Sequence, residues 1–343
     1  MPKKLSLKTD VVNKVEDLFQ PYNLNAKPFL KWAGGKGQLL QKFQDIYPQQ
    51  LKQGEIKNYY EPFLGSGAVF FDIVQNFEIE NAYLYDVNEE LILTYKVIQQ
   101  DVSKLIDFLY RYQKIYYKLD KKQREEYFYE QRTNYNLQRF NTDYEKYSEQ
   151  WIARAAQFIF LNRTCFNGLY RVNSKGAFNT PVGDYQKPSI CDEYNLLAVS
   201  KILELATIQK ADFKQVKKDL KTNSFVYFDP PYRPISKTAN FTAYSKNDFS
   251  DNEQTELSML FAYIHTKGEY AMLSNSDPKN HDPSDHFFDE LYKDFNIIRV
   301  PAKRMINSDA SKRGKINEIV VTNYTIQPCK KVQKATLPGT SLK

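Results

Sequence analysis

The sequence predicts an α/β chain with a mainly parallel sheet, interrupted by a helical insert. Three observations predict it. A strand, a glycine turn, a helix and a second strand follow one another between residues 56 and 85, the succession of a βαβ unit. From residue 88 to about 161 the apolar residues recur instead at helical spacing, as Leu91, Tyr95 and Ile98 do, and then Trp151, Ala155 and Phe158. After Asp192 the alternation of helices and strands resumes.

Taken in order, residues 1–26 are polar and lack a core pattern, so they form an extension with one short helix over 11–19. The α/β pattern begins near Phe29. A glycine-rich turn precedes a short amphipathic helix over 38–46, and a strand is expected over 56–60, a tight turn over 63–67, a helix over 68–75 and a strand over 82–85. Residues 162–190 are rich in Asn, Gly, Ser and Pro and carry Arg163, Arg171, Lys175 and Lys187, which suits a loop or hairpin. A long structured loop is usually functional. Asp192 is an N-cap candidate for a helix over 196–205. Strands are then expected over 225–228, 271–273, 297–300 and 319–324, with helices over 254–264 and 284–295. No internal repeat is present.

A chain of 343 residues allows one large or two moderate domains. Its net charge of +7 suits a polyanionic partner without requiring one. The 26 tyrosines and 23 phenylalanines could supply base-stacking surfaces, but an AT-rich coding sequence accounts for most of them. Cys165, Cys191 and Cys329 are too far apart for a disulfide framework or a zinc site, and His265, His281 and His286 lack helical metal spacing. No metal is expected. No apolar stretch approaches the roughly 20 residues that span a bilayer, so a cytoplasmic, nucleoid-associated protein with no membrane partner is expected.

The run 224–228 ends at Asp229-Pro230-Pro231-Tyr232. On those four letters it is equally a strand-ending turn. It also suits a site that holds a flat heterocycle through its exocyclic amine, whose lone pair is delocalised into the ring. Two acceptors against the two amine hydrogens, the Asp229 carboxylate and the Pro230 carbonyl, favour a pyramidal nitrogen that can attack. The prolines donate no N–H that would compete. Tyr232 offers a stacking face, worth about 1–3 kcal/mol per base. These three are the candidate catalytic residues of a methyl-transfer site.

Glu61-Pro62-Phe63-Leu64-Gly65-Ser66-Gly67 lies where the first strand passes into its helix. Glycines there admit a ligand close to the backbone, at the carboxyl ends of parallel strands. Asp86, 21 residues beyond Gly65, ends the next strand, where an acid commonly accepts from ribose hydroxyls, although it could instead cap the following helix. Glu61 could meet a ligand ammonium. Two acids with no phosphate clamp suit S-adenosylmethionine, with S-adenosylhomocysteine as product. Lys31-Trp32-Ala33-Gly34-Gly35-Lys36-Gly37 superficially matches a phosphate loop, but Leu30 and Gly37 stand where that loop needs Gly and Ser or Thr. Lys36 as a carboxylate clamp and Trp32 packed on adenosine is the better account.

The order Lys-Trp-Ala-Gly-Gly-Lys (31–36), Glu-Pro-Phe-Leu-Gly-Ser-Gly (61–67) and Asp-Pro-Pro-Tyr (229–232), with a long insert before the last, resembles the α-group of DNA adenine methyltransferases. The likeness extends to the Dam-type members that methylate GATC, including those of restriction–modification systems, and runs from about 27 to 326. It includes Phe166-Asn167-Gly168-Leu169-Tyr170-Arg171, Phe178-Asn179-Thr180-Pro181-Val182-Gly183 and Thr238-Ala239-Asn240-Phe241-Thr242-Ala243-Tyr244.

The resemblance implies a Rossmann-like S-adenosylmethionine-dependent sheet over 27–95 and 192–326, with a helical and β-hairpin target-recognition insert over 96–191 and a tail over 327–343. It implies cofactor contacts at Trp32, Lys36, Asp86 and Asp229, beside the Glu61, Phe63, Gly65 and Gly67 of the glycine turn. Phe166 would wedge into the base stack, with Asn167 next to it. Leu169, Arg171 and Pro181 would contact base edges, and Lys31 would reach the outer guanine. A guanidinium bonds guanine bidentately, worth about 1–3 kcal/mol of discrimination, although Arg171 could be a phosphate contact instead. The basic run Arg299, Lys303, Arg304, Lys312, Arg313 and Lys315 suits a phosphate-gripping element, although such a run is more often a solvated face. The resemblance implies double-stranded DNA as partner, and it leaves open an orphan enzyme or one with a cognate restriction endonuclease acting on the same site, not necessarily in complex. The target adenine must leave the duplex to be methylated. An amino-methyltransferase of RNA or cytosine, or a non-catalytic DNA-binding protein, are the competing readings.

Overall fold

Central strands buried on both faces organise the molecule. The computed structural model describes residues 25–233, 249–303 and 315–326. Residues 1–24, the motif at 238–244, Arg304, Lys312, Arg313, Cys329 and the tail lie outside them. The strands are β1 (Asn58–Glu61), β2 (Asn81–Asp86), β3 (Ala206–Lys210), β4 (Ser224–Phe228), β5 (Tyr270–Ser276), β6 (Asn296–Lys303) and β7 (Lys315–Thr322), in the order β3-β2-β1-β4-β5-β7-β6. The first five in that order are parallel, and β7 runs antiparallel to both of its neighbours.

Side chains alternate across the sheet. Tyr59, Phe225 and Tyr227 enter one core, while Tyr60, Val226 and Phe228 enter the other. Every residue of β1 and β4 is buried, so β4 reads as an apolar and aromatic run after Ser224, whereas β1 buries Asn58 and Glu61 on either side of its two tyrosines.

The helices of seven residues or more are α1 (Leu40–Ile46), α2 (Ala68–Asn76), α3 (Glu89–Tyr116), α4 (Lys121–Gln138), α5 (Gln150–Thr164), α6 (Glu193–Leu203) and α7 (Asp251–Thr266). Asn88 caps α3 by accepting from the backbone N–H groups of Glu90 and Leu91. That helix runs past residue 95, the expected edge of the insert, and bends at Asp101, whose φ of −137° is not helical. Its first part lies in the layer on the sheet, where Gln99 donates to the Ala206 carbonyl of β3, and α5 packs on both sides of the bend, against Glu90 before it and Tyr112 after it.

A buried ion pair ties the insert to that layer. Arg154 of α5 donates through Nε to Glu90 of α3 at 2.8 Å, and its Nη2 also bonds Glu90. Arg154 also donates to the Tyr135 carbonyl at 3.1 Å, and the Tyr144 hydroxyl donates to Glu90 at 2.6 Å.

Two elements differ from the sequence reading. The helix expected over 196–205 ends at Leu203, and the chain turns into β3, an edge strand in which only Ile208 is buried. Its polar composition hid it. The helix expected over 284–295 is reduced to Phe287–Leu291, because Asp282 and Asp285 side chains accept the backbone N–H groups of Ser284 and Phe287 and hold turns there.

Candidate active site

Strands β1 and β4 pair directly, Tyr60 opposite Val226, and their onward connections lead to neighbouring strands on opposite sides. Their carboxyl ends thus flank the crevice of a topological switch point. The chain leaves β1 through Glu61 to Gly67 and leaves β4 through Asp229 to Tyr232. The sheet therefore brings both motifs to one edge.

Gly65 and Gly67 adopt φ of +47° and +69°. A Cβ on Gly67 would lie 2.7 Å from the hydroxyl of the buried Tyr95, and one on Gly65 would lie 3.0 Å from the Trp32 ring. Both need glycine. Asp86 holds this turn from the end of β2, accepting from Gly65 N at 3.0 Å and Asn88 N at 2.8 Å. The helix cap is Asn88 itself. Burial raises the Asp86 carboxyl, and those backbone donors oppose the rise.

Glu61 is buried and accepts from the Tyr59 hydroxyl at 2.6 Å. Burial pushes its carboxyl well above the usual range, and Asp229 and Asp86 add to the rise. Among the described residues no cation lies within ion-pair distance of it. A buried acid without a cation, next to a turn stripped of Cβ atoms, fits a cationic cofactor such as S-adenosylmethionine. Phe63 stacks on Phe213 at 5.7 Å and meets Phe249 edge-on at 5.5 Å. Trp32 stacks on Tyr170 at 5.6 Å.

Lys36 joins the two halves. Its Nζ lies 2.7 Å from Asp229 Oδ1 and 3.6 Å from Glu318 Oε2, and donates to the Tyr232 hydroxyl at 2.9 Å and the Gly34 carbonyl at 3.2 Å. The carboxylate it holds here is the chain's own. Burial raises Asp229 to about 6 although Lys36 pulls it down. Ser274 donates to Asp229 at 3.4 Å and shares a hydrogen bond with the Tyr227 hydroxyl at 2.7 Å. Pro230 is buried, whereas Tyr232 is 39% exposed.

The 162–190 segment packs against the first motif. Asn162 accepts from Lys31 N at 2.9 Å and donates to the carbonyls of Lys31 and Gly168 at 2.8 and 2.9 Å. Lys31 Nζ sits 4.7 Å above the Tyr185 ring. Phe166, Asn167, Arg171 and Pro181 are exposed and Leu169 is half-buried. Phe166 N donates to the Pro181 carbonyl at 2.8 Å, which puts both on one surface. Asn179 N donates to the Arg171 carbonyl at 3.0 Å, and Arg171 Nε donates to the Asn179 side chain at 2.9 Å. The hairpin is paired only at the bridges Cys165 to Val182 and Val172 to Phe178.

Arg299 departs from the expected phosphate grip. Its guanidinium is forked between Asp277 at 2.9 Å and Asp289 at 2.8 Å, so it braces β6. Sequence reasoning missed Glu318, Ser274 and Asn162. Glu318 left little signal, since it directly follows Asn317 in the polar first half of its strand, ahead of Ile319, Val320 and Val321. Among the described residues no cluster of His, Cys, Asp or Glu could hold a metal ion, and no helix is long and apolar enough to cross a membrane.

Comparison with known proteins agrees with this geometry. The sequence profile described as D12 class N6 adenine-specific DNA methyltransferase matches residues 32–306. The chain is 46% identical over 302 residues to the type II methyltransferase M.MjaIII of Methanocaldococcus jannaschii, covering 88% of this chain and 100% of that relative. It is 38% identical over 310 residues to the type II methyltransferase M1.LlaDCHI of Lactococcus lactis subsp. cremoris, covering 90% and 99%. It is 30% identical over 307 residues to the DNA adenine methylase of Escherichia coli (strain K12), covering 89% and 99%. With its α/β sheet and three motifs in order, the chain belongs to the D12 class of N6 adenine-specific DNA methyltransferases.

Proposed function

We propose that the chain methylates the exocyclic amine of adenine within GATC in double-stranded DNA, by base flipping and direct in-line transfer. The observation that carries the reading is the position of Asp229 at the end of β4, beside the strand whose exit is Glu61 and the glycine turn. Asp229 and the Pro230 carbonyl accept the two amine hydrogens, and Tyr232 stacks on the extruded ring. Bound S-adenosylmethionine would supply a methyl group carried on a sulfonium. Glu61 balances that cofactor's positive charge, Trp32 and Phe63 flank it, Gly65 and Gly67 admit it, Asp86 meets its ribose and Lys36 its carboxylate.

The insert over 96–191 acts as the target-recognition domain. Phe166 wedges into the vacated stack with Asn167 beside it, while Lys31, Leu169, Arg171 and Pro181 read the flanking bases. The GATC assignment rests on the likeness of the 166–171 and 178–183 motifs to Dam-type enzymes. Similarity to relatives named type II methyltransferases supports a cognate restriction endonuclease acting on the same sequence. The working compartment is the one that holds the chromosome.

The test is transfer of a labelled methyl group from S-adenosylmethionine to unmethylated DNA, followed by digestion with nucleases blocked by GATC methylation. Label in DNA with acquired resistance is the expected result. Label without resistance overturns the target sequence. Absence of label, or preference for RNA, overturns the activity.

A further inference from the structure

Glu318 does two things at once in the site. Its Oε1 accepts from the Tyr232 hydroxyl at 3.0 Å, and its Oε2 lies 3.6 Å from Lys36 Nζ. Its backbone sits in the middle of the sheet's antiparallel part, opposite Ser276 of β5 and Val300 of β6. Tyr232, by contrast, stands on the turn that follows β4. A residue clamped by two ladders thus fixes the far end of a turn residue's ring.

Stability does not account for a carboxylate at this position. Its side chain is only 12% exposed, in a strand whose next residues are Ile319, Val320 and Val321. Burying an acid there costs desolvation that an apolar residue would avoid. The return is geometric. The Tyr232 hydroxyl is held between a donor, Lys36, and an acceptor, Glu318, which fixes its orientation while the residue as a whole stays 39% exposed. The Lys36 ammonium is at the same time shared between two carboxylates.

We propose that Glu318 is a positioning residue for methyl transfer: it aims the Tyr232 ring at the extruded adenine and keeps Lys36 from being held by Asp229 alone. This rests on the reading of Asp229 and Tyr232 as the target-amine site. The negative charge of Glu318 also raises the Asp229 carboxyl, so its removal has a readable electrostatic consequence.

The experiment uses the full chain, S-adenosylmethionine and duplex DNA carrying either adenine or 2-aminopurine at the target position. Glu318→Ala is expected to lower kcat at least tenfold, with a smaller change in the KM for S-adenosylmethionine, and to change the 2-aminopurine emission of the complex. Glu318→Gln, which keeps an acceptor for Tyr232, is expected to restore that emission while shifting the acid limb of the kcat profile to lower pH. Wild-type kcat and emission in Glu318→Ala overturn the proposal. If Glu318→Ala does not fold, Glu318→Gln decides, and an unchanged pH profile overturns it. A wild-type chain that labels no DNA defeats the underlying reading instead, whereas an active wild type indifferent to Glu318 defeats only this inference.

Discussion

Lys36 Nζ and Asp229 Oδ1 lie 2.7 Å apart, so the glycine-rich turn near the start of the described chain and the turn after β4 meet in one ion pair. Burial raises that carboxyl to about 6 even against the lowering pull of the ammonium, so the pair is expected to set the acid limb of the reaction. The amine needs an ionised acceptor, so kcat/KM is expected to fall about tenfold per pH unit below about 6. Lys36→Met removes the lowering influence, and the acid limb should move upward by about 1 pH unit or more. A profile that stays in place, measured from pH 5 to 9, would show that Asp229 does not control the rate.

Asp229→Ala removes the acceptor without touching the hairpin around Arg171. Methyl transfer should fall at least about 10³-fold, the scale on which a preorganised polar contact to the reacting group acts. Duplex binding in a filter or anisotropy assay should change by less than about threefold, since base contacts and phosphate contacts lie elsewhere. Retained turnover would remove Asp229 from the chemistry.

The sequence made the sheet legible where strands were buried on both faces, as at 225–228, because nothing polar interrupted the pattern. It hid β3, where Ile208 alone faces inward and helix propensity carried the reading past Leu203. The glycine turn and Asp-Pro-Pro-Tyr were legible because their chemistry is local. Glu318 was not, because its partners Tyr232 and Lys36 come from two distant turns and only the antiparallel β5–β7–β6 arrangement delivers it to them. Asp86 shows a third case: its position was readable, but its bonds to Gly65 N and Asn88 N depend on how the turn folds back over β2.

The Glu90–Arg154 pair couples the insert to the layer that carries the glycine turn, with both side chains less than a tenth exposed. Glu90→Ala leaves a buried guanidinium uncompensated. The expected loss is about 3–5 kcal/mol of stability, read as a lowered midpoint in urea. A double variant, Glu90→Gln with Arg154→Met, should recover part of that loss because no lone charge remains. If the single and double variants lose the same stability, the pair is not what holds the two parts together.

Arg171 is exposed, and among the described residues only its Nε is bound, to the Asn179 side chain at 2.9 Å, which orients the guanidinium on the hairpin. A guanidinium so oriented can present its two terminal nitrogens to the O6 and N7 of one guanine. Arg171→Ala should then cost about 1–3 kcal/mol at a single base position, seen as relaxed discrimination when each base pair of the site is varied in turn. A phosphate contact would behave differently: binding would weaken evenly across all sequences, and the slope of log affinity against log salt would become shallower by about 1. Asn179→Ala separates orientation from contact, since it frees Nε while leaving the cation in place. Specificity should decline in that variant with little change in the salt slope, and an unchanged specificity profile would mean that Asn179 does not aim Arg171 at a base.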